Sequence, residues 1–122
     1  MYQESMEHDD ILTAASLLRQ KPHASARLTG NPEASILRGV VRLYPMPRGV
    51  LMAVEVSHLP PGSLFELSIE GGMPLPSLLS VRGRILQVMV VGACTVEDLM
   101  GRKVSLAACE SRRVLARGII RP

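Results

Sequence analysis

The chain has 122 residues, enough for one domain with a real core and too few for two. Hydrophobic residues make up 47% but aromatic ones only 2%, so the core is built from Val, Leu, Ile, Met and Ala, and the aromatic platforms used in sequence-tolerant single-strand binding are missing. The net charge of +3 comes from arginines spread along the chain with no basic run, which reads as solvated surface charge and argues against a nucleic-acid partner.

No apolar stretch approaches the roughly 20 residues that span a bilayer. The first ten residues are acidic and polar where a secretory signal would be basic. Both features point to a cytoplasmic protein with no membrane contact. Cys94 and Cys109 form no metal-type pair, and in a reducing compartment they stay thiols.

In chain order, Ile11, Ala14, Ala15 and Leu18 recur at helical spacing after Asp10, which reads as a capping residue. One short N-terminal helix follows, expected to pack on its own domain. Residues 1–21 thus form a partly helical extension, and residues 22–122 the domain proper.

From His23 the period changes to two, with Ala24, Ala26 and Leu28 on one side and His23, Ser25 and Arg27 on the other. Gly30, Asn31 and Pro32 end this first strand. The second places Leu37, Gly39, Val41 and Leu43 inward and Arg38 and Arg42 outward, up to a hairpin-like break at Pro45, Pro47 and Gly49. The third sets Val50, Met52, Val54 and Val56 against Ala53, Glu55 and Ser57, and stops at Leu59-Pro60-Pro61-Gly62.

The fourth run is a clean alternation of Phe65, Leu67 and Ile69 with Glu66, Ser68 and Glu70, broken at Gly71-Gly72. Residues 73–79 carry two prolines and read as a loop. Residues 85–91 are apolar on both faces apart from Gln87, as a covered strand would be. A connection with one helical turn over residues 95–102 leads to a strand with Val104 and Leu106 inward, and residues 114–120 form the last. Seven short strands without alternating helices predict an all-β domain, an antiparallel sandwich or barrel with Greek-key connections.

The order of motifs resembles the copper/zinc superoxide dismutases. Ser57-His58-Leu59-Pro60-Pro61-Gly62 is similar to the turn G-L-P-P-G, and Leu67-Ser68-Ile69-Glu70 falls where that family has F-H-I-H. Leu75-Pro76-Ser77-Leu78 is similar to D-L-P-x-L, Asp98-Leu99-Met100-Gly101-Arg102-Lys103-Val104 to D-L-x-G-R-x-V, and Leu115-Ala116-Arg117-Gly118-Ile119-Ile120 to L-A-C-G-V-I. The resemblance covers residues 23–120 and implies a Greek-key barrel, copper and zinc cofactors and superoxide dismutation.

The residues that carry that chemistry are replaced. The resemblance puts copper histidines at Ser68, Glu70 and Ala107, and a disulfide cysteine at Arg117. Its long zinc loop shrinks to the few residues between Gly71 and Leu75, and its electrostatic loop to the turn between Ala107 and Val114. Arg113 lies one position away from the family's anion-guiding arginine and reads as a surface residue.

His8, His23 and His58 fall at no metal position and share no ligand spacing. Glu66, Ser68 and Glu70 would suit a hard cation by ligand type, but carboxylates on a strand face are ordinarily solvated. No catalytic triad, phosphate-binding loop or dinucleotide fingerprint is found.

No catalytic, cofactor-binding or metal residue is therefore expected. The chain reads as a non-catalytic, dismutase-like module that binds a protein partner or itself, as a homodimer for example. Two alternatives stay open: a divergent dismutase with unconventional or intersubunit ligands, and an unrelated all-β interaction domain.

Overall fold

A computed structural model describes residues 8–60, 64–72 and 75–122, with side chains from Leu12 onward. Pro61 and Gly62 of the proline turn, and the side chains of His8, Asp10 and Ile11, lie outside the described residues.

Among the described residues there are eight strands: β1 (Ala24–Gly30), β2 (Arg38–Met46), β3 (Gly49–Ser57), β4 (Leu64–Ile69), β5 (Leu78–Leu79), β6 (Ile85–Gly92), β7 (Lys103–Ala108) and β8 (Val114–Ile119). Two helices accompany them, α1 (His8–Leu17) and the single turn α2 (Val96–Leu99). None of these helices is long and apolar enough to cross a membrane.

All eight strands join one antiparallel sheet in the order β5-β4-β7-β8-β1-β2-β3-β6. The two edge strands, β5 and β6, are consecutive in the chain and joined by a tight turn closed by the Val81–Arg84 bridge. This turn brings the edges together, so the sheet rolls into a nearly closed barrel with one interior.

Alternation fills that interior. Ala24, Ala26 and Leu28 of β1, Val41 and Leu43 of β2, and Val50, Met52, Val54 and Val56 of β3 are all buried, as are Phe65, Leu67 and Ile69 of β4. Val104 and Leu106 of β7 complete the opposite wall. No polar or charged residue is buried among those described, so nothing inside requires a hydrogen bond that the sheet does not supply.

A second, smaller apolar cluster lies outside the barrel. Tyr44, Leu51, Ala53 and Val90 point away from the interior yet are buried, because Ala14 of α1 packs on them. Leu17, Met46 and Val88 close its margin. The N-terminal helix thus covers an outer patch of β2, β3 and β6 that alternation alone would leave in water.

The loop expected over residues 73–79 contains β5, whose Leu78 and Leu79 pair with Phe65 and Leu64. Two residues are too short for alternation to register, and Pro74 and Pro76 suggest a loop. The strand expected to be covered on both faces leaves Leu86 81% exposed, because α1 reaches only the Val88–Val90 end of β6. Asp10 is not the cap of α1, since it lies within the helix, which is described from His8. The expected turn near residue 95 is α2, where Thr95 and Asp98 form a capping box.

β8 approaches β1 closely at Gly118, where an added Cβ would collide with the Arg27 carbonyl oxygen. Alanine in place of glycine within a strand ordinarily gains about 0.5–1 kcal/mol. Here Gly118→Ala should instead lose about 1–3 kcal/mol through overpacking against backbone, read as an earlier midpoint in urea unfolding.

Candidate functional site

The outward positions of β1, β2 and β3 form rows across the sheet, set by register. One row runs Arg27, Val40, Glu55 and on to Leu86 of β6. The next runs Arg117 of β8, Thr29, Arg38 and Ser57. A third holds Ser25, Arg42 and Ala53. Arg84 enters from the β5–β6 turn.

Together Arg27, Arg38, Arg42 and Arg84 line an open groove of about 680 Å³, with Thr29, Ser35 and Ser57 supplying hydroxyls. Residues up to 57 positions apart in sequence converge because neighbouring strands lie only ~4.8 Å apart. Arginines that the sequence shows as scattered therefore share one face.

Arg42 donates from Nη1 to Oε2 of Glu55 at 3.1 Å. Both side chains are well exposed, so the pair adds under about 1 kcal/mol and weakens with salt. Arg38 is held by backbone, its Nη1 donating to the carbonyls of Ser35 at 2.9 Å and Leu37 at 2.8 Å. Among the described residues Arg27, Arg38, Arg84 and Arg117 have no carboxylate partner. The groove is thus a concentration of guanidinium groups, each able to bind a carboxylate or phosphate in a two-pronged fashion.

An apolar strip adjoins it. Leu79, Val81 and Leu86 are 57%, 61% and 81% exposed and, with Ile85, flank a smaller depression that shares Glu55 and Arg84 with the groove.

The face where the resemblance places copper lies on the other side of the sheet order, on β4 and β7. Ser68 stands opposite Ser105, and Glu66 opposite Ala107. Glu70 follows Ile69, which faces Val104, so it lies at the far end of the pair from Ala107, about 13 Å away at ~3.3 Å per residue. Ser68, Glu70 and Ala107 do not converge. A hydroxyl, a carboxylate and a methyl group do not fit copper, which this resemblance would hold through imidazoles. Among the described residues no group of three His, Cys, Asp or Glu is placed to hold a metal ion.

His23 Nε2 lies 3.1 Å from Glu97 Oε1 in an exposed pair, and His58 sits in a turn with φ of 60°. Arg113 pairs with Glu33 beside the Asn31-capped turn. The sequence reading missed the groove; its available signal was that Arg27, Arg38, Arg42 and Arg117 all occupy outward positions of their strands.

Cys94 and Cys109 are free thiols, both half-buried. Burial pushes the Cys94 thiol up from its ordinary value of 9.0, and the Asp98 carboxylate adds to the shift. Comparison with family models and with curated proteins gives no match.

Thiolate is the reactive form, so Cys94 should alkylate slowly at neutral pH, with a rate that keeps climbing as pH passes 9.0. Asp98→Asn removes one raising charge and should speed the reaction at any pH below that range. Mass spectrometry of the alkylated peptide reads both.

Proposed function

We propose that this chain is a metal-free relative of the copper/zinc superoxide dismutases, with a Greek-key barrel, that works as a binding module. The strand order supports the fold assignment. β4 pairs with β5, and β7 returns through α2 to lie beside β4, an order that supports a Greek-key reading. Of the motifs similar to that family, D-L-x-G-R-x-V leads from α2 into β7 and L-A-x-G lies on β8.

The observation that supports the functional reading is that the outward residues of β4 and β7, Glu66, Ser68, Ser105 and Ala107, include no imidazole. With redox chemistry unsupported by these side chains, the arginine groove on β1, β2 and β3 is the feature suited to work, and its work is recognition. Two free thiols fit a reducing, cytoplasmic setting.

The test pairs metal analysis with activity. Protein purified from cells supplied with copper and zinc should carry far less than one metal ion per chain and should not remove superoxide. Stoichiometric copper, together with superoxide removal abolished by chelation, would establish the divergent-dismutase alternative instead.

A further inference from the structure

We infer that the arginine groove and the apolar strip beside it form one docking surface for a partner protein, which presents an acidic segment flanked by apolar residues. This deepens the binding-module reading and rests on it. The two features are continuous. The row Arg27, Val40, Glu55, Leu86 passes from guanidinium to apolar side chain across four adjacent strands, and Arg84 borders both the groove and the strip.

Three observations select the occupant. First, four arginines and a single carboxylate line the groove, so the complement is acidic. Second, Leu79, Val81 and Leu86 are exposed side by side, and a surface that joins arginines to aliphatic side chains has the composition of a protein interface. Third, the face has no aromatic side chain on which a base could stack, and Glu55 would repel a continuous phosphate backbone. A peptide segment, whose charges are intermittent, tolerates Glu55 and gives the apolar strip a counterpart.

A second copy of the chain fits less well. Its acidic outward residues, Glu66 on β4 and Glu70 just past its end, lie on a different face from the groove, so the contact would be heterologous and tend toward open chains of molecules.

Fluorescence anisotropy of the full chain tests this with three labelled probes: a peptide of glutamate pairs alternating with leucines, the same peptide with Gln for every Glu, and a single-stranded DNA of equal length. The acidic peptide should bind saturably and more weakly as salt rises. The double variant Arg38→Glu/Arg84→Glu should weaken it by about tenfold or more, as loss of close charge pairs does. Leu86→Asp should also weaken it, whereas Lys103→Glu on β7, outside the groove, should not. Arg84 and Leu86 are exposed, so thermal melting of these variants should stay near that of the parent and separate lost binding from lost fold.

The inference is overturned by equal binding of the Gln peptide, by tighter binding of DNA, or by the absence of saturable binding up to millimolar peptide. It is equally overturned if sedimentation shows a self-associated chain that Arg84→Glu dissociates, because the occupant is then a second copy. These outcomes are independent of metal content, so a copper-loaded, active protein would refute the metal-free reading without deciding this one.

Discussion

A sheet rolled until its edges meet has one inside, and every inward side chain on its strands must find an apolar neighbour there. Phe65, Leu67, Leu106, Val41 and Val54 meet that demand with almost no aromatic volume, so the interior is packed from many medium-sized aliphatic groups. Burying a side chain of this size contributes about 1.5–3 kcal/mol, and a one-residue slip of any strand would turn its whole inward set to solvent. Register is therefore held firmly, and everything on the outer face inherits its position from it.

Two kinds of outer surface follow. Where outward positions are apolar, as at Tyr44, Leu51 and Val90, α1 lies over them and the protein completes itself. Where they are Arg27, Thr29, Arg38 and Arg42, no element among the described residues covers them, and the side chains form a charged groove beside exposed Leu86. Among the described residues, the outer surface thus divides into a face the chain covers and one it leaves open.

Much of the architecture was legible before any coordinates. The alternation of Phe65, Leu67 and Ile69 with Glu66, Ser68 and Glu70 is reproduced position by position, as is the inward set of β3. What escaped was too short or too distant. β5 spans two residues between prolines, and Leu86 looked covered because its neighbours in sequence are apolar, although α1 reaches only the other end of β6. The groove escaped for a different reason: Arg27, Arg38, Arg42 and Arg84 are separated in sequence and converge only in the folded sheet.

Alternation and turn residues are local properties, and local properties determined which segments are strands and which side of each faces inward. Which strands lie side by side is a global outcome of closing the barrel. Tertiary structure alone decided that α1 shields Leu51, that Glu70 stands apart from Ala107, and that scattered arginines make one groove, because lateral distances of a few ångströms across a sheet have no counterpart in sequence separation.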